Sequence, residues 1–428
     1  MIDIRRHGFF VKLFSSAVLM QAMLSGASLC VGMLLIRHAA NAQYGYYVLI
    51  STAILLMTSI QGAYIQPSLV IKLTRSSDDA SERGNFVGSL YRGQQKLLPI
   101  LAVVAIVITI VARLVDFFDS VEMWVTIAGI FAITANLIRE FFRMVLLAYR
   151  RPGDVIRSDI WYVAVLISGA AISIFLPIPA AATAIALALA AVISGGYQRR
   201  ALYRFEPWNP KASTGALKEI YRTGIWAVVG AVIHWTFTQG YNYLVVGVLT
   251  VDDVAAIAAT RILMMPINLI STGVSSFMFP TVAGWLNNHK TTVVLKRIYL
   301  FTTGLVLMAV VYLMIVWEVR DWIFSTLLKK HFEHRDMLLF LWSMICIVMV
   351  LRDQLGYTLI AHAHFRRLSV VAAVSAVLAI TTSYFLMLSM GQPGALIGIL
   401  VGEGSSVICV IVMAILDARH ESPMTVTQ

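Results

Sequence analysis

The sequence predicts an all-α polytopic membrane protein of about twelve transmembrane helices, and three observations carry that prediction. Apolar stretches of about 18–28 residues follow one another almost from end to end, and about 20 apolar residues let a helix cross a hydrocarbon core about 30 Å thick. Of the 428 residues, 59% are hydrophobic and only 13% are charged, where soluble domains carry about 25% charged residues. Lys and Arg gather in alternate connectors, the asymmetry that orients membrane proteins. Backbone inside lipid must satisfy its own hydrogen bonds, so runs of this kind are helices.

The predicted spans are 12–36, 45–71, 97–115, 121–147, 157–176, 178–197, 223–249, 254–282, 298–317, 337–361, 368–389 and 393–416. The first follows Arg5, Arg6 and Lys12, and Ala40-Asn41-Ala42 resembles a signal-peptidase site. A signal peptide has an apolar region of about 7–15 residues. The run Leu13–Ile36 is longer and ends in Arg37-His38, so it is expected to remain as a span. The second opens with Tyr44-Gly45-Tyr46-Tyr47 and has Pro67 near its end. Asp116, Asp119 and Glu122 mark a short acidic connector between the third and fourth. Pro177 and Pro179 mark the tight turn between the fifth and sixth, where proline fixes the bend without wasting a donor.

The longest polar interruption, Gln198 to Arg222, contains the turn-rich string Glu206-Pro207-Trp208-Asn209-Pro210. Residues 201–222 are therefore expected to link an N-terminal lobe, 1–200, to a C-terminal lobe, 223–428, with six helices in each. The halves echo one another. Val254-Ala255-Ala256-Ile257 opens the eighth span and Pro280 lies near its end, as in the second span, at an offset of about 210 residues; parallel six-span repeats are a common transporter plan. The connector Glu318–Asp336 is the longest on its side and is expected to face the periplasm. His362 and His364, beside Arg366-Arg367, read as headgroup contacts, and Trp124, Trp161, Trp208, Trp285, Trp317, Trp322 and Trp342 as interfacial anchors.

Counting basic residues places both termini in the cytoplasm. One side holds Arg5, Arg6, Lys12, Lys72, Arg75, Arg83, Arg92, Lys96, Arg150, Arg151 and Arg157, the cluster from Arg199 to Arg222, and Lys290, Lys296, Arg297, Arg366, Arg367 and Arg419. The other holds only Arg37, Arg113, Arg320, Lys329, Lys330 and Arg335. The net charge of +11 thus points to anionic membrane lipid rather than nucleic acid. Cys30, Cys346 and Cys409 show no metal-ligand spacing and read as small apolar core residues.

Tyr44-Gly45-Tyr46, the stretch Val254–Pro280 with Arg261-Ile262-Leu263 and Pro266, Leu355-Gly356-Tyr357 through Arg366-Arg367, and Gly391-Gln392-Pro393-Gly394-Ala395 together resemble the polysaccharide branch, the Wzx-type flippases, of the multidrug/oligosaccharidyl-lipid/polysaccharide exporter superfamily. The likeness covers essentially the whole chain and rests on the order and spacing of these patterns. Ala255 and Ile257 stand where relatives often carry glycine and tyrosine. The resemblance implies two six-helix lobes forming a V-shaped cavity. It also implies export of an undecaprenyl-diphosphate-linked glycan across a bacterial inner membrane, with a polysaccharide polymerase and chain-length machinery as further candidate partners.

Ionisable residues inside spans cost from about 3 kcal/mol upward, so each is a functional candidate. Arg139, Glu140 and Arg143 lie in the fourth span, His234 in the seventh, Arg261 in the eighth, Arg352-Asp353 in the tenth and Glu403 in the twelfth. Arginine stays protonated and grips phosphate oxygens with a planar fork. Arg261, Arg352, Arg139 and Arg143 are thus the candidate diphosphate and glycan-cavity residues. The resemblance supports chiefly Arg261, since superfamily members that move lipid diphosphates line the cavity with arginine. Glu140, Asp353, Glu403 and His234 are the candidates for ion coupling. The competing reading is structural: Arg139, Glu140 and Arg143 neutralise one another, and Arg352 pairs with Glu403 or another acid to clamp helices.

No phosphate-binding loop, nucleophile triad or zinc spacing is present, so neither an enzyme nor a cofactor is expected. Multidrug efflux by the related branch is the alternative transporter reading, against which Leu13–Ile36 contains no acid. A membrane glycosyltransferase or polymerase is the third reading, against which no connector is long enough to hold the sugar chemistry.

Overall fold

The computed structural model describes residues 2–75, 79–288, 291–361 and 365–420. His362 and His364 lie outside them. Among the described residues the chain is helical throughout, with no strand, and it divides into two compact units, Met1–Val232 and Ile233–Gln428. Eleven helices among the described residues are long and apolar enough to cross a membrane. The remaining expected span, 223–249, is carried by two helices interrupted at Gly240.

The first unit holds α1 (Ile2–His38), α2 (Asn41–Arg75), α3 (Ala80–Leu114), α4 (Ser120–Ala148), α5 (Pro152–Ser173), α6 (Pro179–Phe205), the one-turn α7 (Ala216–Glu219) and the start of α8 (Tyr221–Gln239). Local chemistry sets the boundaries. The Asp119 side chain accepts from the Glu122 N–H while Glu122 reaches back to the Asp119 N–H, a capping box that starts α4. Pro152 and Pro179 open α5 and α6, where a missing N–H costs nothing. α4, α5 and α6 pack on one another, and Gly195 of α6 lets that helix lie against the Arg139 backbone of α4.

α3 begins 17 residues before the span the hydropathy marks out, because residues 80–96 fold against the 206–217 connector. Gly84, Gly88 and Gly93 present a bare backbone face to Pro207, Asn209 and Leu217. The Asn209 N–H donates to the Gly84 carbonyl at 3.1 Å, and Arg92 donates to the Lys211 and Ala212 carbonyls at 3.0 and 3.1 Å. Arg83 pairs with Glu206 at 2.9 Å. Beside them Tyr149 lies just past α4, and burial together with the Glu206 charge pushes its hydroxyl up to about 12. The expected linker is thus a short, well-tethered turn: α6 runs on through Arg199, Arg200 and Arg204 before it starts. Trp208, expected as an interfacial anchor, is instead buried against Tyr91 and Phe142, with ring centroids 4.9 and 6.1 Å away.

The second unit holds the rest of α8, α9 (Tyr241–Val248), α10 (Val251–Arg261), a 3₁₀ turn at Ile262–Met264, α11 (Met265–Asn288), α12 (Thr291–Trp322), a π turn at Ile323–Leu327, α13 (Arg335–Ala361), α14 (Phe365–Met390) and α15 (Gln392–His420). A Thr250–Asp253 capping box starts α10. Pro266 cannot donate a backbone hydrogen bond, and just before it the chain tightens so that the Met265 N–H bonds the Ile262 carbonyl. Gly391, at φ 62°, makes the turn into α15, and Gly394, Gly398 and Gly402 seat that helix on Leu386, Ser383 and Ala379 of α14. The Glu318–Asp336 connector shrinks to a few residues, because α12 and the π turn continue to Leu327. Cys346 is buried as expected, but Cys30 and Cys409 are exposed on their helices, where small apolar side chains suit a lipid-facing surface.

Candidate functional site

Each unit carries one cluster of intramembrane charge. In the first, α4 presents Arg139, Glu140 and Arg143 within one turn, and α5 supplies Asp159. Arg139 is 5% exposed and Asp159 fully buried, and their side chains meet at 2.5 Å. Arg139 also donates to the Ser194 hydroxyl on α6 at 3.1 Å and stands 4.0 Å from the centre of the Tyr162 ring. Arg143 binds Glu140 at 3.1 Å, and its Nε lies 3.7 Å from the second Asp159 oxygen. Around this core Gln198 donates to Ser158 at 2.7 Å and Tyr162 donates to Asn136 at 3.3 Å. Two guanidinium groups and two carboxylates therefore compensate one another between α4 and α5, with Ser194 of α6 as a neutral partner.

Asp159 is the residue the sequence reading passed over. It falls near the start of the expected 157–176 span, where a charge looks like a surface group. α5 begins at Pro152, so Asp159 sits two turns inside the helix. The signal was available in Pro152, a proline fitted to a helix start.

In the second unit α13 presents Arg352 and Asp353, and α15 supplies Glu403. Arg352 binds Glu403 at 2.5 Å and holds Asp353 with Nε and Nη2 at 3.0 and 2.8 Å. Glu403 is 2% exposed and Asp353 is half-buried. The Phe237 ring of α8 lies under the Arg352 guanidinium at 5.7 Å. His234, one turn earlier on α8, is exposed on its helix and lies within electrostatic reach of both Arg352 and Asp353.

Arg261 differs from the other three arginines. It is the last residue of α10, beside the 3₁₀ turn, and it faces the Gly240 interruption between α8 and α9. Its Nη1 donates to the Gln239 side-chain oxygen at 3.0 Å and to the Tyr241 hydroxyl at 2.8 Å. Its guanidinium stands 5.1 Å from the centre of the Trp342 ring and 5.8 Å from that of Tyr241. Trp342, expected as an interfacial anchor, is buried as this platform, with its indole N–H on the Ile257 carbonyl at 3.0 Å. Arg261 makes no salt bridge to any described carboxylate; its partners are neutral, and Glu403 feels its charge only at longer range. The structure therefore brings Arg261, Arg352, Asp353, Glu403 and His234 into one neighbourhood, and Arg139, Glu140 and Arg143 into another.

Long apolar helices with ionisable side chains in both units make this a polytopic all-helical fold. No family model matches the chain, and no curated protein does. Solved structures do. An inward-facing multidrug resistance MATE family transporter of the MOP superfamily superposes with a TM-score of 0.74 at 12% identity, over 95% of this chain and 98% of that one. The lipid II flippase MurJ in an inward closed conformation superposes with a TM-score of 0.72 at 11% identity, over 95% and 89%. The eukaryotic MATE transporter AtDTX14 gives 0.60 at 15% identity, over 96% and 98%. At these identities the likeness establishes a shared fold.

Proposed function

We propose that this chain is a flippase that moves an undecaprenyl-diphosphate-linked oligosaccharide from the cytoplasmic to the periplasmic leaflet of a bacterial inner membrane, by ion-coupled alternating access, for surface polysaccharide assembly. The observation that carries the reading is Arg261, a guanidinium beside a tightened helical turn whose hydrogen-bond partners are neutral. A diphosphate cannot enter hydrocarbon bare, and an arginine whose charge is not already bound to a carboxylate is the group that can receive it. Gly240 and the Ile262–Met264 turn are local irregularities in chain that stays helical on both sides, and they place Arg261 against Gln239 and Tyr241. Arg352 is bound to two carboxylates and fits an ion-coupled role, in which loading Glu403 or Asp353 releases the guanidinium. Arg139 and Arg143, compensated within their own cluster, would reach phosphate only after their partners let go.

The test is complementation in a flippase-deficient strain, with membrane abundance measured in parallel. Arg261→Lys is expected to keep part of the export, Arg261→Gln to lose most of it and Arg261→Glu to be worst, all at normal abundance. Full export by Arg261→Gln would exclude the phosphate role. In the orientation proposed, both termini and the 206–215 turn face the cytoplasm. Ser213 and Ser325 are both exposed, so a cysteine at 325 should react with an impermeant thiol reagent in intact spheroplasts and one at 213 should not. The opposite pattern inverts the topology.

A further inference from the structure

Apart from both charge clusters, a cavity of about 830 Å³ opens on the first unit where α5, α6 and the 206–215 turn meet. Its lining includes Arg199, Arg200 and Arg204 and contains no acidic residue. α6 has 27 residues; at about 1.5 Å per residue it is about 40 Å long, some 10 Å more than the hydrocarbon core. The three arginines occupy that overhang, in the last two turns. Deeper along the same face lie Val192, Ile193 and Trp161, which are 61%, 46% and 56% exposed. The cavity is thus cationic at headgroup level and apolar at acyl level.

The wall is built rather than incidental. Trp208 folds back from the connector to line it, at 4% exposure, and its indole N–H is buried without a hydrogen-bond partner among the described residues. The Arg199 guanidinium is fixed over two rings, 5.7 Å from Trp208 and 5.8 Å from Tyr91. Arg200 and Arg204, four apart on one helix face, make no hydrogen bond or ion pair with any described residue. The acids of α5 and of the turn are occupied, Asp154 by Arg151, Asp159 by Arg139 and Glu206 by Arg83. Two uncommitted guanidinium groups above a greasy groove match one kind of occupant in charge and in shape.

We propose that this groove is a binding site for one anionic phospholipid of the bilayer, with its phosphate on Arg200 and Arg204 and its acyl chains along Ile193 and Trp161. The site is independent of the flippase reading, since it shares no residue with the Arg261 neighbourhood. Basic pockets at the ends of spans are recognised lipid sites, and each arginine near an anionic surface contributes about fivefold to binding, so removing two should cost about twenty-fivefold.

The experiment is native mass spectrometry of the purified full chain from nanodiscs of phosphatidylglycerol or phosphatidylcholine. The wild type should retain phosphatidylglycerol and not phosphatidylcholine. The Arg200→Gln/Arg204→Gln double variant should lose the retained lipid, and Arg200→Lys/Arg204→Lys should keep most of it. A control with the same charge change elsewhere, Lys96→Gln/Lys218→Gln, should behave as wild type. Equal melting temperatures establish that the variants are folded. Equal retention of both lipids, undiminished binding by the glutamine pair, or displacement of the lipid by millimolar inorganic phosphate would each overturn the proposal.

Discussion

Ile138-Arg139-Glu140 of α4 and Leu351-Arg352-Asp353 of α13 are the same local motif, about 210 positions apart, the interval at which the two halves echo. Both place an arginine and an acid side by side inside a span, and both arginines take a second, deeply buried acid from another helix. What differs is how the charge is shared. In the first unit each carboxylate has its own arginine, Asp159 with Arg139 and Glu140 with Arg143. In the second unit Gly356 stands where the motif's repeat would put an arginine, and both carboxylates crowd onto Arg352. The second cationic group there, Arg261, comes from α10 and keeps neutral partners. The two neighbourhoods carry equal formal charge, two arginines and two acids each. In the first both guanidinium groups face carboxylates, and in the second one guanidinium has neutral hydrogen-bond partners.

The largest effect that can break this comparison is expected at Asp159. Asp159→Asn leaves the buried Arg139 with only the Glu140 carboxylate, at 3.9 Å, and removes the one it meets at 2.5 Å, at a cost of about 3 kcal/mol. Thermal melting in detergent should fall steeply, with abundance. Arg139→Met combined with Asp159→Leu should recover most of the loss, because a well-packed apolar pair replaces a buried ion pair with little penalty. A wild-type melt for Asp159→Asn would show that the first cluster does not rest on that pair.

Glu403→Gln is the matched change in the second unit and should cost less, about 1–3 kcal/mol. Arg352 keeps both hydrogen bonds to Asp353, and the amide oxygen still accepts from Nη1. Export should fall more than stability does if the Glu403 charge serves coupling. Equal destabilisation by Asp159→Asn and Glu403→Gln would erase the distinction between the units.

Much of this was legible in the sequence, and for physical reasons. Hydropathy marks lipid-exposed helices directly, so the spans follow from composition. Charges are costly in lipid, so Arg261, Arg352 and Glu403 stand out in apolar runs, and a pair of Arg352 with Glu403 is one of the two arrangements such runs allow. What hydropathy cannot see is helix stabilised by protein rather than lipid. Residues 80–96 are polar and helical because a glycine face meets the connector backbone. Arg199 to Arg204 look like a connector and are the end of α6. The Gln239 and Tyr241 contacts and the Trp342 platform, which define the surroundings of Arg261, depend on contacts between helices that no local pattern encodes.

The smallest and most discriminating change is Tyr241→Phe. It removes one neutral partner from Arg261 and leaves the ring, the Gln239 oxygen and the Trp342 face in place. A single hydrogen bond of this kind is worth about 0.5–1.5 kcal/mol, so the melting temperature should move less than for Glu403→Gln. If the Arg261 charge receives phosphate and Tyr241 only steadies it, export should drop in part, to a level between wild type and Arg261→Gln. Gln239→Leu should act in the same direction, and the two together should approach the loss seen without the arginine, because a guanidinium with no fixed partner no longer points to one place. If Tyr241→Phe alone abolishes export, the hydroxyl rather than the charge carries recognition. The second neighbourhood would then be as self-contained as the first.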